Sequence, residues 1–238
     1  MNVIGIVIGI LFLICVLVGW MQGLFKVAIS VLGLVVSIIL STYVSPHVSG
    51  WIEDYTQIDE KIAEYMETEL GFKETEKKVS KGKQVKIIHE LPLPNSIKTN
   101  LLDHNNSEMY EALNVENIFG YITKTIAMVI INATVFLILT LAARIVFCFV
   151  STGIKGLTKL PILRWMDKIG GGCLGLVKAL VFTWIFFLFL SVTSMFSGEG
   201  SWSNEAITEI NYSIPLKFLY EHNMLLEVVE DLTKVLFL

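Results

Sequence analysis

Four long apolar segments predict four membrane-spanning helices. They occupy residues 3–18, 24–44, 122–150 and 169–195. At about 1.5 Å of rise per residue, the first segment just crosses a hydrocarbon layer roughly 30 Å thick, and the others are longer. The first two segments are nearly contiguous, so residues 1–44 are predicted to form a tight transmembrane hairpin. Pro46 follows the second span and is expected to lie beyond its end.

The polar stretch between the second and third spans, residues 45–121, is predicted to be a small helical insertion. Ile58, Ile62, Met66 and Leu70 recur at every fourth position, which is typical of an amphipathic helix. Two shorter helices are expected around 97–102 and 107–113. A second hairpin follows at 122–196, with a basic connector at 151–168. The tail, 197–238, has the pattern of amphipathic helices that lie on the membrane surface or on the insertion.

Composition supports an all-α integral membrane protein. Of the 238 residues, 54% are hydrophobic and only 17% are charged, which argues against a soluble domain. The net charge of −4 gives no reason to expect a nucleic-acid partner. The three cysteines, Cys15, Cys148 and Cys173, lie in or beside apolar segments without metal-ligand spacing, so no disulfide framework, metal or cofactor is expected. The expected partners are the lipid bilayer and either a protein partner or a second copy of the chain.

Basic residues near the span ends predict the topology. The 151–168 connector carries four of them, and Lys26, Arg144 and Lys178 lie towards the same side. Because short cytoplasmic loops are enriched in lysine and arginine, both hairpin connections are predicted to be cytoplasmic. The termini and the 45–121 insertion are then extracytoplasmic. Lysines within an insertion of that length do not oppose this orientation, since long loops translocate largely regardless of charge.

A glycine-rich motif occurs twice, 152 positions apart (171 minus 19), as Gly19-x-x-x-Gly23-Leu24-x-Lys26 and Gly171-x-x-x-Gly175-Leu176-x-Lys178. Glycines four residues apart allow close helix packing in membranes. A phosphate-binding loop would need a preceding strand and a helix in water, whereas this motif leads into apolar sequence. The glycines are therefore interpreted as turn and packing residues.

Ionisable groups within spans are candidates for function. Asp167 is the single acidic residue near the predicted cytoplasmic face, and it could join Lys26, Arg144 and Lys178 in a polar cluster that holds the two hairpins together. The alternative is that each cation extends to the interface while its stem packs in lipid. Asn132, in the third span, is expected to hydrogen-bond between helices, or else to line a polar path.

The chain resembles the colicin V production protein family of bacterial inner-membrane proteins over roughly 3–45 and 122–195. The matching positions are Gly19-x-x-x-Gly23-Leu24-Phe25-Lys26, Leu160-Pro161, Leu163, Met166-Asp167-Lys168, Gly170-Gly171 and Gly175-Leu176-Val177-Lys178. It departs from the family pattern at Asn2, where many members have aspartate near the start of the first span, and at Gln22, where a basic residue is common.

The resemblance implies a multi-pass protein of the bacterial cytoplasmic membrane without catalytic activity. It also implies a role in toxin production or export, or in envelope maintenance, through protein contacts. The alternative hypothesis is an oligomeric channel or small transporter built around the glycine-rich fourth span.

Overall fold

The computed structural model describes residues 3–69, 79–91, 93, 95–153, 164–196 and 200–235. These residues form helices and connecting turns, with no strand among them, so the predicted all-α class is confirmed. The helices are α1 (Val3–Gln22), α2 (Leu24–Tyr55), α3 (Ile58–Glu69), α4 (Lys81–Glu90), α5 (Asn95–Asp103), α6 (Ser107–Ala112), α7 (Ile118–Gly153), α8 (Arg164–Met195), α9 (Trp202–Asn211), α10 (Ile214–Glu221) and α11 (Met224–Val235).

Four of these helices, α1, α2, α7 and α8, are long and apolar enough to cross a membrane, as predicted. Gly23 alone separates α1 from α2, and its φ of +81° lies in the left-handed region that favours glycine. We call the end of the bundle that holds this turn and the start of α8 the turn side. The opposite end, which carries α3–α6 and α9–α11, is the insertion side. Most of the predicted basic connector, 154–163, lies outside the described residues.

The second span does not end before Pro46, contrary to the sequence-based expectation. Pro46 lies inside α2, which continues to Tyr55. Proline removes one backbone hydrogen bond, but neighbouring helices can compensate for this in a membrane bundle. Here Ser45 and Ser49, on either side of the proline, are fully buried against the rest of the bundle. Packing of this face therefore maintains the helix beyond the proline.

The spanning helices pack mainly between the hairpins and not within them. Helix α1 runs antiparallel along α8, and α2 runs antiparallel along α7, whereas α1 and α2 touch over a short length near their turn. The prediction of a short connection holds, but the two helices that it joins diverge. Each hairpin therefore depends on the other for most of its packing.

The insertion shares one buried core with α7. Helix α3 packs along α7, and the apolar side chains of α3–α6 meet the first turns of α7, where Tyr121 is fully buried. The Tyr121 hydroxyl donates to the Leu101 carbonyl at 3.0 Å, and its ring stacks on Tyr110 with centroids 5.3 Å apart. Of the predicted amphipathic helix, the part up to Glu69 is α3, and Leu70 lies outside the described residues. The insertion is thus fixed to a spanning helix.

The tail packs against the insertion side of the bundle. Tyr220 of α10 shares a hydrogen bond with Ser191 of α8 at 2.9 Å, and its ring packs edge-to-face with the Phe187 ring. Burial raises the pKa of the Tyr220 hydroxyl, and the hydrogen bond to Ser191 opposes this shift in part. Asn223, at the start of α11, donates to the Trp184 carbonyl at 3.0 Å. These contacts hold the tail against α8.

Candidate functional site

The two copies of the glycine motif contact each other where α1 crosses α8. A Cβ atom built on Gly19 would overlap the backbone carbonyl oxygen of Gly171, and one built on Gly171 would overlap that of Gly19. Because the obstacle on each side is backbone, no side-chain rearrangement could make room. The helices can approach this closely only because both positions are glycine.

The contact has an approximate twofold character. The Cβ of residue 19 would lie 3.3 Å from the Gly175 Cα, and the Cβ of residue 171 would lie 3.0 Å from the Gly23 Cα. Gly19 corresponds to Gly171 in the duplicated motif, and Gly23 corresponds to Gly175. The repeated sequence therefore forms a repeated contact. We call these four residues the glycine contact.

Asp167 caps the start of α2 from another helix. Its carboxylate Oδ1 accepts a hydrogen bond from the backbone N–H of Leu24 at 2.8 Å. Gly23, the N-cap residue, has no side chain to do this, and a Cβ there would overlap the Asp167 carboxylate. The first N–H groups of a helix lack partners within it and carry partial positive charge, so a carboxylate is well matched to them. Asp167 thus links the start of α8 to the turn between α1 and α2.

Asp167 forms no ion pair with Lys26, Arg144 or Lys178 in the structure. Lys26 lies in the first turn of α2 with its side chain exposed. The predicted polar cluster therefore divides into two parts: Asp167 lies beside the glycine contact, and Arg144 lies near Lys178 deeper in the bundle.

Arg144 and Lys178 are cations on α7 and α8, respectively. The Arg144 Nη2 donates to the Ser30 hydroxyl of α2 at 2.8 Å, and its guanidinium lies beside Gly33. The Lys178 Nζ lies 5.5 Å from the centre of the Phe182 ring. The two cations are close enough for the field of Arg144 to act on Lys178. No acidic side chain in the described part of the chain forms an ion pair with either.

Asn132 is fully buried in α7, apart from both groups. A polar stripe runs along α2, and sequence reasoning missed its continuation to Ser49. Gly33, Ser37 and Ser41 repeat every four residues, and the same spacing continues through Ser45 and Ser49. All four serines are buried. The signal was present in the sequence, but the assumption that Pro46 ends the helix concealed it.

A second carboxylate caps a spanning helix on the insertion side. Glu209 of α9 accepts a hydrogen bond from the Ile4 N–H at the start of α1, at 3.1 Å. No local pattern pointed to this pairing, because the two residues are distant in sequence. The starts of α1 and α2 are therefore both capped by acids from elsewhere in the chain.

A family model described as "Colicin V production protein" matches residues 4–72 and 111–210. The matched segments contain all four spanning helices, the glycine contact, Asp167, Arg144 and Lys178. The chain belongs to the colicin V production protein family. This confirms the resemblance and extends it to α3 and most of α9, while residues 1–3, 73–110 and 211–238 fall outside the match. The family is not known as an enzyme family, and the chain is a multi-pass membrane protein.

No similar protein was found among curated proteins, and no similar structure was found among solved structures.

Proposed function

We propose that this family member is a non-enzymatic component of the bacterial cytoplasmic membrane that supports toxin production or export, or envelope maintenance, by binding another protein through its helical insertion. The observation that carries the proposal is the core shared by the insertion and α7. Because this shared core holds the insertion on α7, the outer surface of the insertion has a fixed position relative to the spanning helices. A flexible loop would order only on binding and would lose entropy in doing so.

The surface of the insertion exposes charged side chains of both signs. Helix α3 exposes Glu60, Lys61 and Glu64, and α4 exposes Lys83 and Lys86. Mixed charges of this kind favour association through electrostatic complementarity and make it sensitive to salt. The partner of such a surface is a protein with an exposed, charged complement near the membrane.

The orientation that goes with this function has the turn side in the cytoplasm and the insertion outside. The support is the concentration of basic residues on the turn side, where Asp167 is the single acid between residues 117 and 198. The test uses a variant in which Cys15, Cys148 and Cys173 are replaced and Ser80, exposed before α4, becomes cysteine. An impermeant thiol reagent should label it in intact cells. Labelling only after permeabilisation would reverse the orientation.

Partner binding is tested by photocrosslinking in native membranes. A photoreactive amino acid replaces Lys83 or Glu64 on the insertion, and the matched control carries it at Leu32, which is exposed on α2 within the span. The proposal predicts the same discrete protein adduct from both insertion positions and not from the control. Absence of adducts from both insertion positions, with both variants present in the membrane at the wild-type level, would contradict it.

A channel assembled around the glycine-rich face of the fourth span receives no support from the packing. Gly171 and Gly175 contact α1 of the same chain, and Gly170 faces Leu24 of α2. A second subunit would have to use another face of α8. Solute or ion flux through the protein in liposomes, altered by Lys178→Ala, would favour the channel over the protein-binding function.

A further inference from the structure

The turn-side half of the bundle holds two cations that have no counter-ion. From residue 1 to 52 the sequence contains no acid, and from 117 to 198 Asp167 is the single one. Asp167 is engaged by the Leu24 N–H at the start of α2. Arg144 and Lys178 therefore lie in a region of the chain that supplies them with no carboxylate.

Both charged groups lie well below the level of the Asp167–Leu24 contact. Arg144 donates to Ser30, which is about 9 Å of helix rise beyond Leu24. Lys178 is about 16 Å of rise beyond Asp167, and its side chain, like others on helices, points back by roughly one turn. The guanidinium and the ammonium group thus reach a similar depth, about 10 Å into the bundle, from α7 and α8.

The surrounding groups neutralise neither charge. Arg144 has five N–H donors, and its described acceptor is the uncharged Ser30 hydroxyl. Lys178 meets the face of the Phe182 ring, and the nearby Cys15 is a thiol. Two like charges within range of each other in an apolar environment repel each other, and an anion bound between them would offset this repulsion. Guanidinium and ammonium groups are the side-chain cations that commonly bind phosphate or carboxylate in proteins.

We propose that Arg144 and Lys178 bind one anionic group of the phosphate or carboxylate class within the turn-side half of the bundle. The source of the group is either the headgroup of an anionic lipid or a soluble anion. Basic pockets between spanning helices have this use in other membrane proteins. The site is independent of the proposed protein contact, because it lies at the opposite side of the bundle from the insertion.

The test measures the melting temperature of the full-length protein in phosphatidylcholine nanodiscs. Phosphatidylglycerol is added to the bilayer in one arm, and inorganic phosphate is added to the buffer in the other. We expect at least one addition to raise the melting temperature by several degrees in the wild type, and the arm that responds identifies the source. The shift should vanish in the Arg144→Gln/Lys178→Gln double variant and remain in Lys26→Gln, which removes an exposed cation on the same side.

Without added anion, the double variant should melt no lower than the wild type, because removal of the charges relieves their repulsion. Equal shifts in the wild type and the double variant, or no shift in either arm, would overturn the site. If the double variant does not fold, Lys178→Gln is compared with Lys178→Arg. Retention of the shift in Lys178→Arg and its loss in Lys178→Gln support the site, and equal shifts in these two overturn it.

Discussion

The carboxylate of Asp167 accepts a hydrogen bond from the backbone N–H of Leu24 at 2.8 Å, so α8 caps a helix of the other hairpin. Substitution tests the strength of this cap. Asp167→Ala should lower the free energy of unfolding by about 1–2 kcal/mol, because it removes both the acceptor and the charge at the helix start. Asp167→Asn keeps an acceptor and should cost less. Reversible unfolding in mixed micelles measures both, and Lys168→Ala, at an exposed neighbouring position, is the control.

A double-mutant cycle separates this cap from the predicted ion pair with Lys26. The Lys26 side chain is exposed and forms no ion pair with Asp167. The effects of Lys26→Ala and Asp167→Ala on unfolding should therefore add to within about 0.5 kcal/mol. A larger coupling between the two substitutions would restore the ion-pair hypothesis.

Alanine at Gly171 and at Gly172 should have very different effects, although the two residues are neighbours. A Cβ on Gly171 would overlap the backbone of Gly19, and overpacking of this kind costs about 1–3 kcal/mol. A Cβ on Gly172 would lie 3.6 Å from the Trp20 ring, an ordinary contact. Thermal unfolding and expression of the two variants measure the difference. Similar losses from both would mean that the glycine contact is not the place where the hairpins meet.

The sequence predicted the four spans and the helical insertion because their signals are local. Continuous apolar runs and the repeat of Ile58, Ile62 and Met66 depend on neighbours in the chain. The pairing of the helices is not a local property. Hydropathy gives the same value to an apolar side chain that faces lipid and to one that faces another helix. The sequence drew attention to Asp167 as the single acid of its region, but a hydrogen bond that its carboxylate accepts from a backbone N–H has no signature in the sequence. Pro46 was wrongly expected to lie beyond the end of the second span, because proline is unfavourable inside a helix. Packing against neighbouring helices keeps it inside α2.

The docking of the tail on α8 should weaken at alkaline pH through Tyr220. The pKa of this hydroxyl is raised by burial, so the folded state holds its proton more tightly than the unfolded state does. The stabilisation is fully present below the unfolded pKa of about 10 and is lost as the pH rises through the folded value. Protease sensitivity of the tail in micelles, measured from pH 8 to 11, should increase over this range.

Tyr220→Phe separates that titration from general alkaline damage. This substitution should lower the free energy of tail docking by about 1 kcal/mol near neutral pH, because it removes the hydrogen bond to Ser191. It should also reduce the increase in protease sensitivity at alkaline pH. Tyr212→Phe, at a tyrosine that is 86% exposed, should change neither the stability of tail docking near neutral pH nor its dependence on alkaline pH. A tail that opens with the same pH dependence in all three proteins would rule out Tyr220 as the titrating group.

The pairing of α1 with α8 across the hairpins is the relationship on which the rest of the fold depends. The direct measurement is cysteine crosslinking in native membranes, with a short bifunctional thiol reagent and a background that lacks the native cysteines. Ile8 of α1 and Phe187 of α8 lie in one buried cluster, so cysteines at these positions should crosslink within the chain. Ile8 and Ile39 are nearly equidistant from the Gly23 turn along α1 and α2. Cysteines at these two positions should not crosslink. Crosslinking of residues 8 and 39 without crosslinking of 8 and 187 would contradict the packing between hairpins.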